Sequence, residues 1–204
     1  MRKLIVTTFL TLDGVMQAPG GPGEDDDGFA YGGWSVKYWD ELMNQTMDEL
    51  MGKPFDLVLG RKTYDIFAAY WPDAPEDAGG RPLNDATKYV ASRGTPRLEW
   101  SKSVLIEGDV AKGVAMLKRE AGPELQVHGS GNLIQTLMSN GLVDQYVLWQ
   151  FPLVVGQGKR LFADGTVPRA LKLVDSVVST TGVVIGTYEP AGEIDTGLFA
   201  LRSE

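Results

Sequence analysis

Gly129 and Gly131 flank a serine at the point where an apolar strand pattern, residues 124–128, gives way to an apolar helix pattern. Because glycine has no side chain, a ligand can approach this backbone closely, and the first amide groups of the helix would point at it. The positive end of the helix dipole favours an anion at the same place, so the turn suits the binding of a phosphate group. Glycine also occurs at such junctions simply to form a tight turn, and the sequence leaves both interpretations open.

Two further strand ends carry cationic and hydroxyl side chains. The apolar strand pattern of residues 55–59 runs directly into Gly60-Arg61-Lys62-Thr63, and that of residues 89–91 runs into Ser92-Arg93-Gly94. Arginine binds phosphate through paired hydrogen bonds and lysine binds it as a point charge, so each segment is a candidate anion site. Cations at the start of a surface helix are also common without any ligand.

Four other side chains have chemistry that a ligand site could use. His128, the only histidine in the chain, has a pKa range suited to proton transfer and stands immediately before the glycine turn. A lone histidine is equally consistent with a structural hydrogen bond. Trp34, Trp39 and Tyr64 could stack on a flat substrate, or could pack in the core or under a loop.

The composition describes an ordinary globular chain with an acidic balance. Its 204 residues suit one well-buried domain, predicted over residues 1–190 with a tail over residues 191–204. A net charge of −8 argues against a nucleic-acid partner. The lack of cysteine excludes disulfides and thiolate catalysis, and one histidine cannot form a multi-histidine metal site. No segment is apolar for long enough to cross a membrane, so a soluble, cytoplasmic protein is expected.

Alternating strand and helix patterns separate these candidate residues. Strand patterns that alternate with helical ones occur at residues 3–9, 55–59, 89–91, 104–106 and 124–128. Such alternation predicts an α/β fold with a mostly parallel central sheet flanked by helices. Two later strand patterns, near residues 170–178 and 182–189, have only a Thr180-Thr181-Gly182 turn between them. They are therefore predicted to form an antiparallel pair at the C-terminal edge of the sheet.

The first long helix is predicted from Ser35, as its N-cap, to Leu50, because apolar residues step by three or four along this segment. The Gly- and Pro-rich residues 15–34 predict a partly ordered lid, and residues 71–82 predict a loop. The acidic run at residues 24–27 predicts a solvated surface and no metal site, since consecutive carboxylates rarely converge on one ion.

Taken in order, the strand-end segments 60–63, 92–93 and 129–132 resemble those of the dihydrofolate reductase-like superfamily. More closely, the chain resembles the bacterial branch related to the reductase domain of bifunctional riboflavin-biosynthesis proteins. The resemblance extends from residues 11–17 to residues 156–162. It implies a dihydrofolate reductase-like fold with NADPH lying across the carboxyl ends of the strands.

Carried over onto this sequence, the resemblance implies NADPH contacts from each segment. Arg61, Lys62 and Thr63 would meet the 2′-phosphate and the pyrophosphate, and Ser92 and Arg93 would hold the 2′-phosphate and adenine side. Cations beside a 2′-phosphate favour NADPH over NADH. The glycine turn would hold the pyrophosphate, and Thr7, Thr8 and the loop at residues 13–15 would lie near the nicotinamide. The implied cofactor-binding set is Thr8, Gly14, Gly60, Arg61, Lys62, Thr63, Ser92, Arg93, Gly129, Ser130, Gly131, Asn132 and Leu133.

The chain departs from folate reductases in its first long helix. In those enzymes a carboxylate of this helix binds the pteridine and assists protonation, whereas Leu42 stands near the corresponding position here. Asp40 is the closest inward-leaning carboxylate, and Asp13 is a second candidate. Asp40 could instead simply border the apolar stripe of the helix. The other acids of the helix are interpreted as pointing further from that stripe: Glu41, Asp48 and Glu49. The missing carboxylate argues against dihydrofolate as the substrate.

The sequence therefore predicts an NADPH-dependent reductase that transfers a hydride to a C=N or C=O carbon of a small, pteridine- or pyrimidine-like acceptor. The accompanying proton would come from Asp40, Asp13 or bound water, with His128 as a further candidate. One specific alternative is activity like that of 5-amino-6-(5-phosphoribosylamino)uracil reductase. Two others are a nucleotide-binding module without turnover and a non-catalytic small-molecule-binding protein. The resemblance and the apolar tail also suggest a homodimer.

Overall fold

The computed structural model describes residues 1–25, 28–75 and 78–199. The strands within these ranges are β1 (Leu4–Thr11), β2 (Phe55–Gly60), β3 (Lys88–Ala91), β4 (Ser103–Ile106), β5 (Glu124–His128), β6 (Gln145–Phe151), β7 (Leu171–Val178) and β8 (Val184–Pro190). The α-helices within them are α1 (Glu41–Met51), α2 (Arg61–Tyr70), α3 (Arg81–Asp85), α4 (Val110–Arg119) and α5 (Gly131–Ser139).

The strands form one eight-stranded sheet in the order β4-β3-β2-β5-β1-β6-β8-β7. The strands from β4 to β6 in this order run parallel to one another, and β8 is antiparallel to both β6 and β7. The structure thus confirms the mostly parallel sheet with an antiparallel C-terminal edge. Because parallel strands end at the same edge, β1, β2, β3 and β5 bring the segments that follow them together.

Side chains of each strand alternate between two covered faces of the sheet. Val58 packs in the core beneath α4 and α5, with Val114 and Ile134. Its neighbours Leu57 and Leu59 pack on the opposite face beneath α2 and α3. On β1, Ile5 belongs to this second face and packs with residues of α1. The two faces matter for the cleft described below, because the helices that cover them contribute to two different walls of that cleft.

The first long helix begins later than its hydrophobic pattern predicts. Val36–Tyr38 forms a short 3₁₀ turn, and α1 starts at Glu41. Asp40 has extended backbone, and its Oδ1 accepts a hydrogen bond of 3.0 Å from the Met43 amide. Aspartate in this conformation is a favoured N-cap, whereas Ser35 donates its hydroxyl to the lid segment and caps no helix. The prediction of one continuous helix from Ser35 was therefore wrong.

The predicted loop at residues 71–82 contains more regular structure than its prolines suggest. Trp71–Asp73 forms a 3₁₀ turn, and α3 begins at Arg81. Pro72 and Pro82 sit in the first turns of these elements, where the missing amide hydrogen is not needed.

The lid segment, residues 15–25 and 28–34, forms no helix or strand apart from a single bridge between Val15 and Arg160. Two of its acidic positions, Asp26 and Asp27, lie outside the described residues.

The tail that follows β8 makes little contact with the sheet. Leu198 and Phe199 are almost fully exposed, and Leu201 lies outside the described residues. None of the helices in the described ranges has the length and apolar character needed to cross a bilayer.

Candidate active site

A cleft of about 1900 Å³ opens at the carboxyl ends of β1, β2, β3 and β5. Its lining includes residues from the three strand-end segments that the sequence singles out. Of the implied cofactor set, Gly14 alone is absent from the lining, which contains Thr8, Gly60, Arg61, Lys62, Thr63, Ser92, Arg93, Gly129, Ser130, Gly131, Asn132 and Leu133. The sheet topology therefore brings together residues that are distant in sequence, such as Gly60 and Ser130, which are 70 positions apart.

The glycine turn is directly joined to the start of α2. Gly129 and Ser130 both have left-handed backbone, with φ of 65° and 70°. This conformation turns the Ser130 hydroxyl towards β2, where Oγ accepts a hydrogen bond of 2.9 Å from the Gly60 amide. Neither α2 nor α5 has a side-chain cap, so the first amide groups of both helices remain suited to an anionic ligand. The turn is tight and also suited to phosphate, so the two interpretations of its glycines do not compete.

Cationic side chains surround this end of the cleft. Arg61 is half-exposed, and its Nε lies 2.7 and 2.8 Å from the carboxylate oxygens of Asp65. Lys62 and Lys159 both form ion pairs with Asp25 of the lid segment, at 2.7 Å for Lys159. The lid thus places a largely buried carboxylate between two lysines that come from separate parts of the chain.

Sequence reasoning assigned no role to Lys159 or Arg160, although both line the cleft. They follow Gly156-Gln157-Gly158, a segment that the family resemblance includes without implying a role for it. Gln135 of α5 donates a hydrogen bond to the carbonyl of Leu161, so this loop is fixed on the α5 side of the cleft. The signal that could have found them is the pair of adjacent cations directly after two glycines.

Asp13, one of the candidate proton donors, fastens this loop instead of lining the cleft. Its Oδ1 accepts a hydrogen bond of 2.6 Å from the Thr11 hydroxyl, and its Oδ2 accepts one of 2.9 Å from the Gly156 amide. Arg160 adds an ion pair at 3.5 Å. The Thr11 hydrogen bond, helped by the loop amides, holds the pKa of Asp13 below its usual value. A carboxylate held in this way is a poor proton donor.

Asp40 is also outside the lining. Besides capping α1, it accepts two hydrogen bonds at Oδ2, of 2.7 Å from the Thr180 hydroxyl and 2.8 Å from the Thr180 amide. The Thr180 hydroxyl is the main reason that the pKa of Asp40 is lowered. The structure therefore places Asp40 between α1 and the β7–β8 turn, where both of its oxygens are occupied.

His128 does line the cleft, and its hydrogen bonds assign its tautomer. Gln126 directs its amide nitrogen at two acceptors, the Leu50 carbonyl and a Glu124 carboxylate oxygen, so its Oε1 must accept. That oxygen lies 2.9 Å from His128 Nε2, which consequently carries the proton. Burial lowers the pKa of His128 to about 4, so the ring is neutral at physiological pH and Nδ1 has a free lone pair.

Two acids on α1 line the cleft. Glu41 and Asp48 do so together with Asn44, whereas Met43 is fully buried in the core. Both acids are exposed, which agrees with their predicted direction away from the apolar stripe, but the sequence did not indicate that this side of the helix borders the cleft. No hydrogen bond or ion pair holds the Asp48 carboxylate among the residues that the structure describes.

The three aromatic candidates fall in different places. Trp39 lines the cleft, with its ring stacked on Trp149 at 5.8 Å between centroids. Trp34 is buried against Phe151 and donates its indole N–H to the Gln17 carbonyl. Tyr64 is 2% exposed in the core and lies outside the lining. Of the three, Trp39 alone has a position from which to contact a substrate.

Thr7 was considered only as a neighbour of the nicotinamide, yet its side chain stands out in the structure. Thr7 lines the cleft opposite His128 in the strand register and is 3% exposed. Its Oγ1 has no hydrogen-bond partner within the described part of the chain. An unpaired buried hydroxyl is costly, so this position is suited to a ligand or water that completes the bond.

This open α/β sheet, with its cleft at the carboxyl ends of the parallel strands, has the dihydrofolate reductase-like fold. More particularly, the chain belongs to the family of the RibD C-terminal domain, whose model matches residues 2–185. The family match confirms the resemblance drawn from the strand-end segments.

Relatives in sequence include two proteins of Bacillus subtilis strain 168. YyaP is 29% identical over 192 residues, which cover 92% of this chain and 94% of YyaP. YwjB is 26% identical over 181 residues, which cover 84% of this chain and 89% of YwjB.

Solved structures with the same fold have lower sequence identity. A putative riboflavin biosynthesis protein from Shewanella sp. PV-4 superposes with a TM-score of 0.65 at 19% identity, covering 93% of this chain and 99% of that one. A pyrimidine reductase-like protein from Corynebacterium diphtheriae gives 0.61 at 12% identity, with 94% and 93% covered. Dihydrofolate reductase from Enterococcus faecalis, complexed with NADP(H), gives 0.57 at 17% identity, with 92% and 96% covered.

Proposed function

We propose that this protein is an NADPH-dependent reductase that transfers a hydride to a C=N or C=O carbon of a small heterocycle. The observation that carries the proposal is the convergence of the glycine turn, two uncapped helix starts and a group of cations at one end of a single cleft. The cations on its lining are Arg61, Lys62, Arg93, Lys159 and Arg160. A dinucleotide with three phosphate groups suits such an end, and a relative with this fold is complexed with NADP(H).

The residues present fit this cofactor. Gly129 and Gly131 leave the backbone open to a pyrophosphate, and the half-exposed Arg61 and the exposed Arg93 are available for a 2′-phosphate. When bound, NADPH supplies the hydride. The protein holds the acceptor against it with an apolar wall that excludes water, to which Phe9, Trp39 and Phe67 contribute.

The proton that accompanies the hydride has a separate source. Asp13 and Asp40 lie outside the lining, and His128 is neutral with its one proton directed at Gln126. Bound water, the remaining source predicted from the sequence, is therefore the donor in this proposal.

The cofactor assignment is tested by titrating NADPH and NADH against the protein while following tryptophan fluorescence. Loss of one charge-assisted contact costs about 1.5–3 kcal/mol, so Arg61→Ala should weaken NADPH binding by roughly tenfold or more. NADH binding should change little, because NADH lacks the 2′-phosphate. Arg97→Ala, at an exposed arginine away from the cleft, is the matched control. Equal affinities for the two cofactors would contradict the assignment.

A nucleotide-binding module without turnover is the second candidate, because both predicted carboxylate donors lie outside the cleft. Oxidation of NADPH in the presence of a panel of pterins, pyrimidines and small carbonyl compounds separates the two functions. Turnover with any acceptor establishes the reductase. Tight NADPH binding without oxidation by the whole panel would favour the module.

A further inference from the structure

The cleft has two chemically different halves because its walls come from opposite faces of the sheet. One half, called here the cofactor half, is formed by the strand-end segments and by the start of α5. The other, called the acceptor half, lies between α1 and α2. Its apolar lining consists of Phe9, Trp39, Met47, Met51, Phe67 and Trp71. Large flat side chains in this number suit a flat ring system.

The polar atoms of the acceptor half are mainly hydrogen-bond acceptors. His128 presents a bare Nδ1 because its proton is on Nε2. Asp48 presents a carboxylate that has no partner among the described residues. Thr7, which is more than nine-tenths buried, adds an Oγ1 that lacks any hydrogen bond. This last observation is independent of the acids and itself points to a bound group, since a buried hydroxyl is normally paired.

Charge is divided between the halves in the same way. Every cation that lines the described cleft belongs to the cofactor half: Arg61 and Lys62 begin α2, Arg93 follows β3, and Lys159 and Arg160 lie on the loop fixed to α5. The acceptor half receives Glu41 and Asp48 from α1. A phosphate or carboxylate placed beside Asp48 would therefore meet a like charge.

We infer that the acceptor of this reductase is a flat heterocycle that offers N–H donors and carries no phosphate or carboxylate, with Asp48 selecting against anionic substituents. The inference rests on the proposed function, because it assigns the second substrate of the same cleft. It separates this chain from the phosphoribosyl-pyrimidine alternative, whose phosphate would have no cation to bind in the acceptor half.

The test compares ring systems that differ only in an anionic group. Three pairs serve: pterin and pterin-6-carboxylate, guanosine and its 5′-phosphate, and uridine and its 5′-phosphate. Binding is followed by tryptophan fluorescence with NADP⁺ at saturation, which keeps nucleotides out of the cofactor half. At least one uncharged member should bind. Its affinity should be about fivefold or more higher than that of its anionic partner, because the anionic group would place a like charge near Asp48.

Variants assign this preference to particular side chains. Asp48→Asn should bring the affinity ratio close to one, and Asp48→Lys should reverse it. Glu49→Gln, at the adjacent exposed acid that does not line the cleft, should leave the ratio unchanged. Thr7→Val should weaken binding of the uncharged member of each pair. The melting temperature of the protein should stay level or rise, because valine removes an unpaired buried hydroxyl and has nearly the same side-chain shape.

Two results would overturn the inference: an anionic member that binds as well as its uncharged partner, or no binding by any uncharged member. The NADPH titration with Arg61→Ala is read separately. If NADPH binds normally and the pairs fail, the acceptor assignment is wrong and the cofactor assignment stands. If NADPH does not bind, the proposed function is wrong, and the acceptor inference that rests on it is wrong as well.

Discussion

At the scale of single residues, His128 shows how burial and one hydrogen bond decide what a side chain can do. Its Nε2 proton is held by Gln126, and its pKa of about 4 keeps the ring neutral across physiological pH. A neutral imidazole in this tautomer accepts a hydrogen bond at Nδ1 and has no second proton to give. His128 therefore serves substrate binding better than the proton transfer predicted from its residue type.

The lowered pKa of His128 predicts the direction in which the stability of the protein changes with pH. The unfolded chain binds a proton near pH 6.5 and the folded chain only near pH 4, so the unfolded state takes up more protons between these values. The free energy of unfolding should fall as pH decreases from about 6.5 towards 4.

Because the chain has one histidine, its imidazole resonance can be followed by NMR without ambiguity. His128→Gln should flatten this part of the stability profile. A folded-state pKa near 6.5 would contradict the buried, neutral ring.

The sequence alone was sufficient to predict that the strand-end segments meet, and insufficient to predict where the acids lie. Arg61 and Gly129 stand at strand ends, and the carboxyl ends of parallel strands meet whatever the details of packing. Asp40 and Asp13 differ, because each is held by a residue about 140 positions away, Thr180 or Gly156. No local pattern announces such a partner, so their removal from the cleft could not be predicted.

At the scale of secondary-structure elements, Asp40 is the N-cap of α1 and also joins that helix to the β7–β8 turn. Asp40→Ala should lower the free energy of unfolding, through loss of the cap and of the Thr180 contacts. Asp40→Asn retains much of the cap and should lose less. Chemical denaturation measures both effects.

NADPH oxidation by the same two variants separates a structural from a catalytic role. If Asp40 only positions α1, Asp40→Asn retains most of the activity. Abolished turnover in a stably folded Asp40→Asn protein would return Asp40 to the role of proton donor.

The ion pairs of the lid segment lead to a separate prediction about cofactor affinity. Asp25 occupies the space between Lys62 and Lys159, the position in which those lysines would otherwise attract a phosphate. Removing its charge should tighten NADPH binding by about three- to tenfold, because the carboxylate no longer competes for the two cations.

Titration of Asp25→Asn with NADPH, beside Asp73→Asn as an exposed control away from the cleft, tests this expectation. Weaker binding in Asp25→Asn would show instead that the ion pairs hold the lid in its binding arrangement.

The helical part of the fold was predictable where periodicity and capping agreed. Asp109 has a residue type favoured at the N-cap, and it caps α4 with its side chain accepting from the Lys112 amide. The predicted start of α1 was wrong because the apolar spacing continues N-terminally through Val36–Tyr38, which forms a 3₁₀ turn.

At the scale of the whole molecule, β7 is an edge strand with an unusual amount of exposed apolar surface. Leu173, Val174 and Val178 are each about half or more exposed, and within the described part of the chain β8 is the only strand that pairs with β7. Exposed edges of this kind pair with another edge, so the homodimer suggested by the family resemblance is predicted to form here.

Sedimentation velocity measures this association directly. Val174→Lys should shift the protein towards monomer, because a charge at the edge opposes strand pairing. Val104→Lys, which places the same charge on the opposite edge strand β4, should have no effect. A wild-type protein that sediments as a monomer at all concentrations would rule out the predicted dimer.

The stacked indoles of Trp39 and Trp149, of which Trp39 lines the acceptor half, also give the protein an optical property. Two identical chromophores this close couple when they are excited, and coupling of their strong far-ultraviolet transitions can split a circular dichroism band into a pair of opposite sign. Since Trp149 is fully buried and Trp39 faces the acceptor half, a molecule that enters from solvent disturbs one partner alone. The protein therefore carries an intrinsic signal for occupancy of the acceptor half, readable without a label and before any reaction is known.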